Sequence, residues 1–547
     1  MKSIRIKNVK SLIDTEDVAL SPITLLVGKN GSGKSTFLRT FPLIKQSIRK
    51  RTDGPLLWAG DVDDYVDFGS FLETVTDKGA DNESKCDPIE FQFKFKLNLN
   101  RRRYYLDSLK NTLGNVGNCD VRYGISISKV GSKEYVSCLS VNFCKNNFIF
   151  EMQPNPRDVN VIVDGIRIPQ ILKKSFKNKN LIPFDDERKS IFGFKLPPIE
   201  WFLDLIARSS YENEMANLSL ALENFGMYDV FLPVTSNEIA MQIVGECLCK
   251  DVSLSIFDTD LVVNDRKDGN EVIDHILKLV NQLNNSDDKL KEHMSAILKL
   301  VYFYGCFSIM DRYIANYFNQ VHYIAPVRAT AERYYRLRNV SIDEVDYQGK
   351  NLAIFLEGLS RSGKLSSFNQ WTDNFLGFHV RTKNDGEHIS IQVASRGRDK
   401  ATNLLDTGFG FSQILPIVTQ LWQIVPEKTS ANKQRRNLWD IPLVLAVEQP
   451  ELHLHPALQS DLAKAFINSL EIARKNNLLL QFILETHSET IVNYFGQAVA
   501  EGKISSEDVS VVLFDKDEDN LTRVHNSGFD KDGYLLNWPI GFFSARS

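Results

Sequence analysis

Gly28-Lys29-Asn30-Gly31-Ser32-Gly33-Lys34-Ser35 follows the apolar run Ile23-Thr24-Leu25-Leu26-Val27 and continues into STFLRTFPLIKQSI, whose apolar residues recur at helical spacing. The octet fits G-x-x-x-x-G-K-[ST] and lies between a strand and a helix, where that pattern has a physical reason. Glycines let backbone N–H groups curl around phosphate oxygens, and the helix N-terminus adds positive potential. Lys34 would then reach the outer phosphates of a nucleotide, and the Ser35 hydroxyl would ligate Mg²⁺. Asn30, Gly31, Ser32, Gly33 and Thr36 complete the candidate phosphate-binding set.

Working outward, IRIKNV precedes this unit as a strand, giving one edge of an α/β nucleotide-binding core over residues 1–79. From Ile89 to Leu99, apolar Ile89, Phe91, Phe93, Phe95, Leu97 and Leu99 alternate with polar residues, as in a strand with one wet face. VRYGISIS, EYVSCLSVNF, NFIFEM and VNVIVDG follow between Gly/Asn turns, so residues 80–198 read as an antiparallel β-lobe. Residues 199–319 read as a helical lobe, from IEWFLDLIARSS to LKEHMSAILKLVYFYGCFSIMDRYIANYF. No heptad repeat is sustained there, which excludes a long coiled-coil arm. Residues 320–547 return to α/β, with a hairpin turn at Asn384-Asp385-Gly386. The expected fold is therefore one α/β P-loop core split by a large insert.

At 547 residues the chain exceeds one ordinary domain, and with 43% hydrophobic and 24% charged residues it has a globular composition. It contains no run of about 18 apolar residues, and MKSIRIKNVKSL alternates where a secretion signal would be continuous, so a cytoplasmic protein without a membrane partner is expected. Seven cysteines without a C-x-x-C pair read as reduced core thiols. The net charge of −4 gives no global attraction to nucleic acid. Basic clusters at 101–103, 173–179 and 433–436 read as solvated loops before they read as footprints.

Further motifs lie in the C-terminal part. Leu443-Val444-Leu445-Ala446-Val447 has buried-strand character and ends at an acid, Glu448, with Gln449 next and Glu451 two residues on. Leu452-His453-Leu454-His455-Pro456 follows; the two histidines could be read as metal ligands, but a structural loop role is the better reading. Gln481-Phe482-Ile483-Leu484-Glu485-Thr486-His487-Ser488 is a second apolar strand ending near a histidine. Gly408-Phe409-Gly410-Phe411-Ser412-Gln413 is a glycine turn leading into the helical pattern ILPIVTQLWQIV.

Together with DYVDFGSFLETV, YIAPVRATAERYY and the closing GYLLNWPIGFF, these motifs resemble the bacterial ABC-type ATPases of the overcoming-lysogenization-defect-like group, and within it the ATPase subunit of Septu-type anti-phage systems, including retron-attached versions. The likeness covers roughly residues 1–75 and 320–547. It implies ATP and Mg²⁺ as cofactors, with Glu448 supporting the metal alongside Ser35 and His487 sensing the γ-phosphate. Gly410, Ser412 and Gln413 would belong to a signature loop that caps the partner subunit's nucleotide, which requires a homodimer or a higher even-numbered oligomer. Gln449 stands where such enzymes carry the glutamate that polarises water. An amide orients water without accepting its proton, so slow hydrolysis is expected unless Glu451 reaches the γ-phosphate as base.

The resemblance also implies an HNH-type nuclease subunit as partner and, in retron versions, a reverse transcriptase with its single-stranded DNA. A chromosome-organising repair ATPase would want a coiled-coil arm and zinc hook. A self-contained nuclease would need more acidic strands than Asp515-Lys516-Asp517, which reads as a hairpin turn. A transporter subunit would carry the usual glutamate after Glu448.

Overall fold

The computed structural model describes residues 1–76, 87–98, 118–168, 190–192, 288–336, 342–425 and 441–537, apart from positions 51, 53, 62–63, 144, 156–158, 343, 398–399 and 519–520 within them. The three basic clusters and the helical runs expected between 199 and 287 lie outside the described residues.

A six-stranded sheet forms the centre. Its order is β11 (Val321–Ile324), β16 (Leu443–Glu448), β17 (Leu480–Glu485), β4 (Ile23–Gly28), β18 (Val509–Lys516) and β19 (Thr522–Gly528). All neighbours are parallel except the last pair, a hairpin, so Asp515, inside β18, and Asp517, just after it, lead into a turn as expected. Every residue of β4 and of β17 is buried. Their side chains alternate between two hydrophobic clusters: Leu26 and Ile483 face one, Leu25, Val27, Phe482 and Leu484 the other. Continuous apolar runs are what a parallel sheet covered on both faces demands.

On the first face lies α1 (Lys34–Arg49), with Phe37 5.8 Å from Phe514 and Phe41 6.0 Å from Phe318, centroid to centroid. Beyond α1 stands a nine-stranded antiparallel sheet, ordered β10 (Ile166–Ile168), β9 (Val159–Val163), β8 (Asn146–Met152), β7 (Lys133–Phe143), β6 (Asn118–Val130), β5 (Ile89–Asn98), β1 (Ser3–Val9), β2 (Leu12–Asp14), with β3 (Val18–Ala19) on β1. The alternation seen in β5 is real: Ile89, Phe91, Phe93, Phe95 and Leu97 are all buried. The stretches assigned to 1–79 and 80–198 share this sheet, because β1 pairs with β5 over five register positions.

The 32-residue helix α3 (Asp288–Asn319) crosses the sheet's apolar face, after the short capped turn α2 (Phe71–Thr74). Tyr313 stacks on Phe95 at 4.4 Å and Phe303 on Phe148 at 4.5 Å. Buried Asp311 accepts from Tyr123, Ser190 and the Ile191 N–H, which supplies the bonds a carboxylate needs there. This part of the expected helical lobe thus covers the sheet.

On the second face pack α4 (Leu352–Arg361), α5 (Leu365–Leu376), α6 (Phe409–Ile424), α7 (Pro456–Lys475) and α8 (Glu489–Ala500), together with a small sheet of β12 (Tyr335–Arg336), β14 (His388–Ser395), β13 (Phe378–Asn384) and β15 (Thr402–Asn403). The expected turn at Asn384–Gly386 joins β13 to β14, with Gly386 at φ 88°. No helix among the described residues is long and apolar enough to cross a membrane.

Gly28 closes β4 against β18, where an added Cβ would lie 2.3 Å from the Phe514 carbonyl oxygen and 2.7 Å from Ser32 Oγ. Gly28→Ala is therefore expected to destabilise by about 1–3 kcal/mol in urea unfolding, as overpacking does. Gly358→Ala is the control: nothing lies within 4 Å of its Cβ position, so it should be neutral or gain up to about 1 kcal/mol from helix propensity.

Candidate nucleotide site

The site is built at the carboxyl ends of parallel strands, where backbone leaves the sheet and side chains converge. β4 runs into the loop Lys29–Gly33, whose Gly31 and Gly33 adopt φ of 73° and 94°. Gly33 caps α1 in the left-handed conformation with no side-chain cap bond, and the first turn carries no acid. Its amide donors and positive dipole end are thus left for an anion. A Cβ on Gly33 would come 2.8 Å from Leu12 Cδ2 and 3.0 Å from Thr522 Oγ1, so the loop packs here as only glycine allows. Ser32 Oγ is buried with no hydrogen-bond partner among the described residues. Asn30 and Gly31 are exposed at the loop's rim, and Ser35 and Thr36 are half-buried on the first turn of α1.

Lys34 is buried, its Nζ donating to the carbonyls of Gly28 at 3.0 Å and Lys29 at 2.7 Å. Burial pulls its ammonium below the ordinary value, while the charges of Glu485 and Glu451 oppose that shift. A cation tied, among the described residues, to loop carbonyls is well placed to exchange them for phosphate oxygens. These features fit a nucleotide's phosphates, and Mg²⁺ would draw on Ser35 and on the acids described next.

Glu448 ends β16 and Glu485 ends β17, directly opposite each other in register. Their environments differ. Glu448 is 1% exposed and takes a bidentate pair from Arg39, Nε to Oε1 and Nη2 to Oε2, both at 2.8 Å; the Tyr323 hydroxyl donates to Oε1 at 2.7 Å. Glu485 accepts from Ser35 Oγ at 2.7 Å through Oε1, while Oε2 is buried with no partner among the described residues. Burial, followed by the charge of Glu448, pushes the Glu485 carboxyl up to about 7. The residues thus sort differently from the motif reading, in which Glu448 stood beside Ser35. Spacing does not single out Glu485, which reads as one more residue of a strand leading to His487.

Gln449 adopts φ 45°, its N–H donating to the Glu485 carbonyl at 2.8 Å, so this turn is pinned to the neighbouring strand. Buried Arg328, from the YIAPVRATAERYY stretch, donates to the carbonyls of Glu448 at 2.8 Å and Gln449 at 3.3 Å. Arg328 stands within a motif whose spacing alone assigns it no role. Glu451 accepts from Thr486 Oγ1 at 2.9 Å and from the His487 N–H at 2.7 Å. One oxygen holds the His487 backbone and the other the Thr486 hydroxyl. Burial, outweighing those bonds, raises its carboxyl above the ordinary value.

His487 is half-buried, and burial, reinforced by the charge of Lys34, lowers its imidazole below the usual value. It is therefore neutral at pH 7 and can donate or accept at a phosphate. His455 caps α7, its Nδ1 accepting from the Ala457 N–H at 3.3 Å, and His453 at φ 60° lies 5.9 Å from the Phe409 ring. Gly408 caps α6, and Gly410 approaches the His453 carbonyl, where a Cβ would be 3.4 Å away. Ser412 and Gln413 are buried within α6, with Ser412 Oγ donating to the Phe409 carbonyl at 2.7 Å. The exposed large apolar residues of this stretch are Leu405, 45% exposed, and Phe409, 63% exposed.

A phosphate-binding loop, two strand-end carboxylates and a neutral histidine near the loop lysine define a P-loop ATPase. A family model described as AAA ATPase domain matches residues 1–492, and the chain belongs to that family. Among solved structures it is similar to the SMC head domain from Thermotoga maritima, at 10% identity over 96% of this chain and 97% of that one, with a TM-score of 0.31. No curated protein sequence matches.

Glu485→Gln removes an acid that the folded state prefers protonated. The folded value of about 7 lies above the ordinary 4.5, so the acid's contribution to stability is complete below about 4.5 and is lost as pH rises through 7. The variant should match the parent in urea unfolding near pH 4.5 and exceed it at pH 8 by up to about 3 kcal/mol, at about 1.4 kcal/mol per unit. A gap that stays constant with pH would refute this account.

Proposed function

We propose that the chain is an ATP-binding, slowly hydrolysing switch that closes head-to-tail on a second copy and governs a partner nuclease in bacterial anti-phage defence. Two ATP molecules would be sandwiched between the subunits, each held by one copy's P-loop and capped by the other's Gly408–Gln413 turn. The observation that carries the dimer is the apolar tip of α6. Phe409 and Leu405 stand out to solvent, and Phe409 lies against His453, in the loop after β16 whose Glu451 holds the backbone of His487. A ligand held across such a joint favours the closed population because it touches both halves only there.

The residues have separate tasks. Lys34 and the amides of the P-loop bind phosphates, and Ser35 with the strand-end carboxylates would hold Mg²⁺, which supplies charge neutralisation for phosphoryl transfer. His487 would contact the γ-phosphate from the switch strand. Gln449 can orient a water molecule but cannot take its proton, and the Glu451 oxygens are engaged at Thr486 and His487. Slow turnover follows, which suits a switch that reports bound nucleotide. The partner nuclease, and in retron versions a reverse transcriptase with its single-stranded DNA, are supported by the motif resemblance.

In sedimentation with ATP, the parent chain should dimerise. Phe409→Asp should stay monomeric while still binding nucleotide, and Lys34→Ala should lose nucleotide binding itself. Gln449→Glu should raise hydrolysis by about 10²-fold, the low end of what a general base contributes. Co-purification with the neighbouring gene's product, followed by nuclease assay with ATP present and then depleted, tests the partner. A chain that purifies alone and cuts DNA with Mg²⁺ would replace this reading with that of a self-contained nuclease.

A further inference from the structure

We infer that Arg328 serves the hydrolytic step: it fixes the turn that carries Gln449, and its unmatched guanidinium donors hold the water that the Gln449 amide orients. The inference rests on the ATPase reading of the site and adds a cation to it.

Three observations carry it. The first is the backbone of Gln449. A residue other than glycine at φ 45° persists where its surroundings over-determine it, and such residues cluster at functional sites. Here the turn is fastened through both of its backbone groups. The Gln449 N–H donates to the Glu485 carbonyl at 2.8 Å, and the Gln449 carbonyl accepts from the Leu452 N–H at 3.1 Å and from Arg328 Nη2 at 3.3 Å. The same Nη2 donates to the Glu448 carbonyl at 2.8 Å, so one guanidinium nitrogen spans the turn.

The second is what remains of that guanidinium. Arg328 is 3% exposed, yet its Nε and Nη1 have no hydrogen-bond partner among the described residues. Buried donors are costly to leave unmatched, and where they persist a water or a ligand commonly supplies the match. The nearby acids are engaged elsewhere, Glu451 at Thr486 and His487 and Glu448 at Arg39 and Tyr323. Burial draws the guanidinium down to about 10 against the charges of Glu451 and Glu448, so it remains a cation at pH 7. An oxygen that gains negative charge as it attacks is the acceptor such a cation stabilises.

The third is place. Ile324, the last residue of β11, pairs with Val447, so the chain leaves that strand level with the residue before Glu448 and reaches Arg328 four positions on. The loop is tied down on both sides of the arginine, by the Ala325 N–H to the Tyr347 carbonyl at 2.9 Å and the Ala329 N–H to the Gln348 carbonyl at 2.8 Å. The cation is thereby fixed at the carboxyl end of β16, the end of the sheet at which β4 delivers the P-loop. In the step itself the water oxygen bonds to the γ-phosphorus as the bond to the β,γ-bridging oxygen breaks. ADP leaves, and the water's proton passes to a γ-phosphate oxygen, so no side-chain base is required.

The test uses the whole chain and two measurements: affinity for the β,γ-imido analogue of ATP with Mg²⁺, and single-turnover release of phosphate from γ-labelled ATP with protein in excess. Arg328→Met, which removes the charge and the donors, should lower the hydrolysis rate by about 10²-fold, the scale of losing a donor to developing charge. Its analogue affinity should stay within about threefold of the parent, as for an interaction made only in the transition state. Arg328→Lys covers the case in which Arg328→Met fails to fold; it keeps the charge without the fork and should lower the rate by about 10-fold at unchanged affinity. Because Arg328 and Gln449 act on one water, either loss should shrink to less than about threefold when the substitution is made in Gln449→Ala, whereas a merely structural role would cost the same in both backgrounds. An unchanged rate in the Arg328 variants, a loss of affinity as large as the loss of rate, or an undiminished loss in Gln449→Ala overturns the inference. So does a parent chain that binds the analogue and releases no phosphate. A parent chain that binds no analogue at all overturns the ATPase reading instead.

Discussion

Two carboxylates end adjacent strands in register, Glu448 on β16 and Glu485 on β17, both almost wholly buried. Like charges so placed cannot both be left without compensation. The fold resolves this asymmetrically. Glu448 receives a guanidinium and a phenol, and so becomes the fastening between the central sheet, α1 and β11. Glu485 receives one hydroxyl and keeps an unmatched oxygen. The surrounding arrangement depends on this division: Arg39 is drawn across α1's outer face, Tyr323 is held at the sheet edge, and Ser35 is turned toward β17.

That division needs rigid walls. The six-stranded sheet is covered on both faces, by α1 with the antiparallel sheet and α3 on one side and by α4 to α8 on the other, so its strand ends have little room to shift. Gly28 lets β18 close on β4 at the point where the loop begins. The loop's phosphate-facing amides, the strand-end acids and His487 are therefore fixed relative to one another by packing remote from any of them. The joint between Glu451 and the His487 backbone extends this rigidity toward the exposed tip of α6, which links the state of the nucleotide to a surface.

Much of this was legible in the residues. The β4–loop–α1 unit is local, and glycines with an apolar strand before and a helical period after leave few alternatives. The alternation in β5 and the Asp385-Gly386 hairpin are likewise short-range patterns. The pairing of β1 with β5 was not legible, because 79 residues separate Val9 from Ile89 and strand pairing at that range leaves no local mark. The same holds for α3, whose apolar residues surround the helix too evenly to announce which sheet they would cover.

The sequence by itself determined the class of chemistry: a phosphate-binding loop, an acid-ended strand and a histidine-ended strand are each written within eight residues, where backbone geometry and side-chain identity act together. The tertiary structure decided which acid faces Ser35, that Arg39 and Tyr323 occupy Glu448, and that Glu451 serves the His487 backbone. Those outcomes depend on strand order and on contacts between residues hundreds of positions apart, such as Ser35 with Glu485 and Arg39 with Glu448. Spacing along the chain carries no information about which strand folds between which others, and here the strand between was the one bearing the second acid.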